Sequence, residues 1–150
     1  KRTTKIRLTL MNYHKLTSSF FISLQIKISE VDSLKENGFT DVICNRPAHE
    51  CSADERPEVI REAVQNLGLN FIDNPLSNGQ LSLDTISNQR NDGIKTLAYC
   101  TSGTRSAILW AFSMAGELPT PKILECLVEA GFPMPHLSDQ INSLAENKPQ

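Results

Sequence analysis

The stretch Tyr99-Cys100-Thr101-Ser102-Gly103-Thr104-Arg105-Ser106 follows an apolar run and places one cysteine where a strand turns into a helix. A tight turn of this kind directs main-chain N–H groups inward, and the helix N-terminus adds partial positive charge, so the segment favours a bound anion. The same potential favours the thiolate form of Cys100. The planar guanidinium of Arg105 is suited to holding two oxygens of a phosphate, sulfate or sulfonate above the sulfur. The pattern predicts Cys100 and Arg105 as catalytic residues, with these substrate-binding residues: Thr101, Ser102, Gly103, Thr104 and Ser106.

An unpaired cysteine at the end of a strand is often only a small buried apolar residue. A purely structural strand end has no need of an arginine in the first turn of the next helix, however. The combination of Cys100 and Arg105 therefore favours the functional interpretation.

The spacing of these two residues indicates the kind of chemistry. Four residues separate Cys100 from Arg105, which makes a six-residue segment, the cysteine loop. Tyrosine-phosphatase-like enzymes have one residue more, whereas rhodanese-like sulfurtransferases have this shorter loop, whose tighter radius suits a compact sulfur-centred group. Tyr99 also stands where cysteine phosphatases usually carry histidine. Three hypotheses follow: transfer of sulfane sulfur from a persulfide or thiosulfonate donor to a thiol acceptor, hydrolysis of a phosphomonoester through a phosphocysteine, and non-catalytic binding of a phosphorylated or sulfated ligand.

Several segments together resemble a known family. They are residues 20–25, residues 38–47 with Glu50, Pro75 with Gly79, and residues 98–110, so the likeness spans nearly everything after Met11. In these motifs the chain is similar to the beta-lactamase-hydrolase-like phosphatase domain, a small bacterial family with a dual-specificity-phosphatase-like fold. The resemblance implies a cysteine enzyme whose relatives are variously called phosphatases and sulfurtransferases, some of them fused to persulfide-handling or sulfide-oxidising partners.

A second polar segment, residues 44–51, follows another apolar strand and is expected at the same edge of the sheet. Arg46 and Glu50 are predicted to pair and brace the cysteine loop, with direct contact between Arg46 and the substrate as the alternative. Asn45 is placed with Glu50 as a supporting residue. His49 has the titration range of an acid or base, although a single loop histidine is more often simply exposed.

Asp73 is the only acid in the loop from residue 73 to residue 80. Dual-specificity phosphatases typically use an aspartate from such a loop to protonate the leaving oxygen, so Asp73 is the candidate general acid. Its position beside Pro75 is equally suited to capping the turn. Transfer of sulfur to a thiolate needs no such acid. Asp84 is expected to serve the first turn of the next helix.

The cysteine pattern argues against a metal site. Cys44 and Cys51 flank His49, but neither a C-x-x-C pair nor a matching histidine pair occurs, and no metal or cofactor is predicted. Cys51 is a candidate resolving thiol for Cys100, and Cys126 is expected in the core. Four scattered cysteines favour a reducing compartment and therefore a cytoplasmic protein.

Length and charge limit the remaining possibilities. The chain has 150 residues, 39% of them hydrophobic, enough to bury one core without disulfides. Residues 1–15 are predicted as an N-terminal extension, with Met11 as a candidate natural start, and residues 16–150 as the catalytic domain. A formal net charge of −2 gives no general reason to bind nucleic acid, and no apolar run reaches membrane-spanning length. The expected partners are a small anionic substrate and a thiol acceptor; the oligomeric state is left open.

Hydrophobic periodicity predicts alternating strands and helices. Strands are expected at residues 20–24, 41–44, 69–72 and 95–99, and the last of these delivers Cys100. Helices are expected from Ser29, from Pro57, and over residues 82–90, 105–115, 120–130 and 137–144. The sequence therefore predicts a single α/β domain with a mostly parallel sheet flanked by helices.

Overall fold

Five strands form a sheet that brings the polar loops to one edge. The computed structural model describes residues 12–77, 80–90 and 93–148. Its strands are β1 (Tyr13–Lys15), β2 (Phe20–Ser23), β3 (Asp41–Cys44), β4 (Asn70–Asp73) and β5 (Thr96–Tyr99). They lie in the order β1-β2-β5-β3-β4, with β1 antiparallel to β2 and the other pairs parallel. The loops after β2, β3, β4 and β5 therefore meet at the same edge of the sheet.

Helices cover both faces of this sheet. They are α1 (Val31–Glu36), α2 (Pro57–Asn66), α3 (Leu83–Asn88), α4 (Thr104–Ser113), α5 (Thr120–Glu129) and α6 (Ser138–Glu146), with 3-10 turns at Ile28–Glu30, Ala48–Glu50, Ala53–Glu55 and Pro135–Leu137. The predicted single α/β domain with a mostly parallel sheet is confirmed. No helix in the described part of the chain is long and apolar enough to cross a membrane.

The starts of two helices can be compared with the caps that the sequence predicts. Ser82 caps α3 as expected, since its side chain accepts a hydrogen bond from the Thr85 N–H at 3.1 Å. The helix predicted to open at Ser29 instead begins with a 3-10 turn. There the Glu30 side chain accepts from the Lys27 N–H at 2.8 Å, so the cap comes from inside the turn.

The sheet separates two apolar cores. One face packs against α4, α5 and α6 through Ile22, Ile43 and Ala98. The other face packs against α1 and α2 through Val42, Leu97 and Tyr99. Every residue of β5 is buried, as expected for a strand with a parallel neighbour on each side. The strand that carries Cys100 is therefore held rigidly at the centre of the fold.

Strand β1 was not predicted from the sequence. Tyr13 lies edge-on to Phe21 and Phe39, with ring centroids 5.4 and 5.2 Å away, and these contacts hold β1 against the sheet. The strand falls within the last residues of the predicted extension, residues 1–15. Residues 1–11 of that extension, including Met11, lie outside the described residues.

Candidate active site

Cys100 directly follows β5 and lies in the middle of the loop-bearing edge. Its side chain is buried, and the main-chain N–H of Gly103 donates a hydrogen bond to Sγ at 3.1 Å. Gly103 has a φ of +97° and stands immediately before α4. The first N–H groups of a helix have no acceptor within the helix. The cysteine loop thus places the Gly103 N–H on the sulfur, just ahead of the N-terminus of α4.

Arg105 lies in the first turn of α4, and its two terminal nitrogens are fully engaged by protein acceptors. Nη1 donates to Glu50 Oε2 and to the Leu76 carbonyl, both at 3.0 Å. Nη2 donates to Glu50 Oε1 at 2.9 Å and to Thr101 Oγ1 at 3.1 Å. A guanidinium has five N–H donors, and these bonds use the four on the terminal nitrogens. The fifth donor is the Nε–H. The fork that the sequence predicts for substrate oxygens is occupied by a carboxylate of the protein itself.

The electrostatics of this pair keep both groups charged. The hydrogen bond from Arg105 lowers the pKa of Glu50. The pKa of Arg105 is raised, first by the bond to Glu50 and also by the negative charge of Cys100, against the opposing effect of desolvation. The guanidinium is thus close enough to Cys100 to interact with its charge.

Arg46 braces this arrangement from behind. Its Nη2 donates to the main-chain carbonyl of Glu50 at 2.8 Å, and its Nη1 donates to Gln25 at 2.9 Å and to Glu55 at 3.0 Å. The Arg46 Nε lies 3.9 Å from the Glu50 carboxylate. The side chain of Arg46 is only 14% exposed, so the geometry favours bracing over direct substrate contact.

The other predicted binding residues surround the loop. Thr101, Ser102 and Thr104 are exposed, and the hydroxyls of Ser102 and Thr104 lie 3.2 Å apart. Ser106 is fully buried, and its hydroxyl has no hydrogen-bond partner in the described structure. Asn45 is also fully buried, behind the loop.

Residues 12–117 match the family described as the beta-lactamase hydrolase-like protein, phosphatase-like domain. The chain belongs to this family. No curated protein matches it. Among solved structures, it is similar to a candidate phosphatase from Neisseria meningitidis Z2491, with 24% identity and a TM-score of 0.73 over 87% of this chain and 96% of that one.

Two further structures share the fold of this phosphatase-like domain. A candidate phosphatase (DUF442) from Shewanella putrefaciens CN-32 has 14% identity and a TM-score of 0.71 over 97% of this chain and 99% of that one. The core catalytic domain of the PP-IP phosphatase SIW14 from S. cerevisiae has 14% identity and a TM-score of 0.61 over 87% of this chain and 82% of that one. The phosphatase-like fold is thereby shown.

Asp73, the candidate general acid of this phosphatase-like domain, is not brought together with Cys100. It ends β4 beside Cys44 of β3, and the alternation of side chains points it to the α2 face of the sheet. Partial desolvation raises its pKa, and the charges acting on it come from Arg61 and Glu58 of α2. Asp73 therefore faces away from the group around Arg105, and its position gives the acid role no support.

Three contacts of the site were not predicted. Gln25 accepts from Arg46, and its N–H donates to the Thr101 carbonyl at 3.2 Å; its place just after β2 was a usable signal. The Leu76 carbonyl and the Gln89 side chain carry no sequence signal. A main-chain acceptor is independent of residue type, and Gln89 is a single polar residue just after a short helix.

The remaining cysteines are unpaired in the structure. Burial raises the pKa of Cys44 to about 11, so its thiol stays neutral near pH 7. Burial also raises the pKa of Cys51, whose sulfur lies 3.5 Å from the Pro47 carbonyl. The resolving role of Cys51 stays a prediction. Among the described residues, no three His, Cys, Asp or Glu side chains form a group able to hold a metal ion.

Replacing Glu50 with glutamine should release Arg105 and slow the chemistry of Cys100 by about tenfold, because a small displacement of a positioning group is enough for such a loss.

The same substitution should make stability depend on pH. The pKa of Glu50 is lowered from its ordinary value of 4.5, so the contribution of its carboxylate to the free energy of unfolding is complete above 4.5 and disappears as pH falls through the lowered pKa. The difference in free energy of unfolding between wild type and Glu50→Gln should therefore be constant near pH 7 and vanish in strong acid.

Urea titrations at about pH 7 and about pH 3 measure this difference. Glu125→Gln is the matched control, since its pair with Lys122 is more than half exposed on both sides and should matter little. An unchanged difference at both pH values would contradict the ion pair as its source.

Proposed function

We propose that this domain is a cysteine-dependent sulfurtransferase in which Cys100 carries the transferred sulfur. The Cys100 thiolate attacks the outer, sulfane sulfur of a persulfide or thiosulfonate donor. A new S–S bond forms on Cys100 while the donor's S–S bond breaks, and a thiolate, a sulfinate or, from thiosulfate, sulfite leaves with the electron pair. An acceptor thiolate then attacks the outer sulfur and releases Cys100 as the thiolate, so no external oxidant or reductant is needed.

The observation that carries this proposal is the engagement of Arg105. All four of its terminal N–H groups are bound to Glu50, Leu76 and Thr101, which leaves the Nε–H. A transferring phosphoryl group spreads charge over three equatorial oxygens and is best served by several donors at once. A persulfide on Cys100 presents one anionic sulfur, for which one guanidinium N–H and the N–H groups of the loop suffice.

The acid–base requirements agree with sulfur transfer. The leaving group of each step is a thiolate or sulfinate, which departs as an anion. The sequence holds no carboxyl group between Asp73 and Asp84, and Asp73 faces α2. An enzyme without a placed general acid handles such leaving groups far better than alkoxides.

The second candidate is hydrolysis of an activated phosphomonoester through a phosphocysteine. It is favoured by the phosphatase-like family and by the fold shared with phosphatases. In that reaction a P–S bond forms on Cys100 as the P–O ester bond breaks, and water then cleaves the P–S bond. If Asp73 supplied the proton, Asp73→Asn would slow esters with poor leaving groups more than aryl phosphates.

Intact-mass spectrometry separates the candidates. The reduced protein is exposed briefly to thiosulfate, to glutathione persulfide or to an aryl phosphate, with Cys100→Ser in parallel. We expect a one-sulfur adduct that cyanide or a thiol removes, and no adduct on the variant. A phosphoryl adduct with released phenol would replace sulfur transfer by the phosphatase reaction. If no donor gives an adduct and Cys100→Ser still binds the anionic ligand, only the non-catalytic binding hypothesis remains.

The cellular setting belongs to the same proposal. A sulfur carrier of this kind needs a thiol acceptor, either a small thiol or a cysteine of another protein. It also needs Cys100 reduced, and the four unpaired cysteines fit a reducing compartment such as the cytoplasm.

A further inference from the structure

Three buried amide side chains form a closed network behind the cysteine loop. Asn45 follows β3, Asn74 follows β4 and Gln89 follows α3, and at most 4% of each is exposed. Asn45 Nδ2 donates to the Asn74 carbonyl and to Gln89 Oε1, both at 2.8 Å. Gln89 Nε2 donates to Asn45 Oδ1 at 2.8 Å and to the Ser106 carbonyl at 3.4 Å.

Every side-chain N–H of the network has an acceptor. Asn74 Nδ2 donates to Gln89 Oε1 and to the Thr85 carbonyl, both at 2.9 Å. Each of the three NH₂ groups therefore donates both of its hydrogens. A buried polar network that is fully satisfied holds one geometry, whereas removal of one member leaves the others unpaired. Gln89 is the central member, because its oxygen accepts from both asparagines.

The same residues fix the groups that orient Arg105. The Asn45 N–H donates to the carbonyl of Tyr99 at 2.8 Å, just before Cys100, and the Leu76 N–H donates to the Asn45 carbonyl at 3.0 Å. Leu76 in turn accepts from Arg105 Nη1. Gln89 also reaches the carbonyl of Ser106, just after Arg105. The network thus contacts the residues on both sides of the cysteine loop and the partner of its arginine.

We propose that Gln89 is a positioning residue that fixes Arg105 and both ends of the cysteine loop for the reaction at Cys100. This inference rests on the proposed function for its kinetic readout, but the placement of Arg105 can be measured without turnover. Gln89 touches no reacting atom; it acts through Asn45, Leu76 and Ser106.

The test compares Gln89→Met, which keeps the length of the side chain but removes its amide, with Ile141→Ala. Ile141 is a fully buried residue of α6, a helix that contributes nothing to the network. Three quantities are measured in the whole chain: thermal stability, the rate of Cys100 persulfide formation from thiosulfate, and hydrogen exchange of the Arg105 Nε–H by ¹⁵N NMR, assigned by its absence in Arg105→Lys.

We expect both variants to lose stability, but only Gln89→Met to lose about tenfold in rate and to gain about tenfold in Nε–H exchange, as displacement of a positioned group implies. Asn74→Ser removes two donors of the network and should shift both readouts in the same direction, which keeps the test valid if Gln89→Met does not fold.

A wild-type rate and wild-type Nε–H exchange in Gln89→Met would overturn the proposal, as would an equal loss of rate in Ile141→Ala at equal stability. If wild type forms no persulfide while Gln89→Met still loosens the Arg105 Nε–H, the proposed function fails and the positioning role stands.

Discussion

Arg105→Lys should lower the rate of Cys100 persulfide formation by about 10²- to 10³-fold, the usual loss when one fixed donor of an anion site is removed. Lysine keeps the positive charge but is a compact ammonium without the planar fork. It is unable to bind both oxygens of Glu50, the Leu76 carbonyl and Thr101 while also presenting an N–H to the sulfur. Loss of the fork therefore removes hydrogen bonds to the Glu50 carboxylate as well as the donor that faces the sulfur.

Stopped-flow mixing with thiosulfate, followed by mass spectrometry, measures this rate. Arg90→Lys is the matched control, because Arg90 pairs with Glu117 on the surface and lysine should largely replace it there. An Arg105→Lys enzyme within threefold of wild type would show that charge alone, and not the fork, serves the reaction.

Gly103→Ala should reduce the free energy of unfolding by about 1–3 kcal/mol, the usual cost of a non-glycine residue at positive φ. Gly103 has a φ of +97°, and an added Cβ would meet the Phe132 ring at 3.0 Å. Relief of this contact shifts either the ring or the loop, and a shift of the loop displaces the N–H that donates to Cys100. We therefore also expect a loss of about 10²-fold in persulfide formation.

Gly68→Ala separates strain from contact. Gly68 has a φ of +82° with nothing within 4 Å of an added Cβ, so this variant should lose stability from strain alone and keep its rate. Chemical denaturation and the persulfide assay are run on both variants. Equal rates in Gly103→Ala and wild type would refute the role of the Gly103 N–H.

Local pattern was enough to predict the four parallel strands β2 to β5 and the cysteine loop, but not the antiparallel strand β1. An apolar run, a glycine and an arginine in one short segment define Cys100 and its surroundings without any distant residue. The predicted link between Glu50 and the loop also relied on local information, namely that both follow strands of the same sheet. The sequence predicted that Arg46 pairs with Glu50, and the Arg46 Nε does lie 3.9 Å from that carboxylate. The hydrogen bonds to the Glu50 oxygens come from Arg105, however, and only the folded geometry decides this.

Asp73 and Gln89 illustrate what sequence spacing omits. Asp73 begins the loop in which dual-specificity phosphatases typically carry their general acid. The register of β4, however, turns its side chain to the face of the sheet that packs against α2. Gln89 is fully buried at a helix end where the sequence offers only a polar residue. Both facts depend on how elements pack, and neither has a local signature.

The central place of β5 has a consequence for how the protein acquires reactivity during folding. β5 pairs in parallel with both β2 and β3, and the bond from Arg105 to Glu50 joins residues 55 positions apart. Contacts of such long sequence separation form slowly, since a large loop must close first. The reactivity of Cys100 should therefore appear only with the last cooperative step of refolding. The rate at which Cys100 becomes reactive would then measure how fast the native topology is completed.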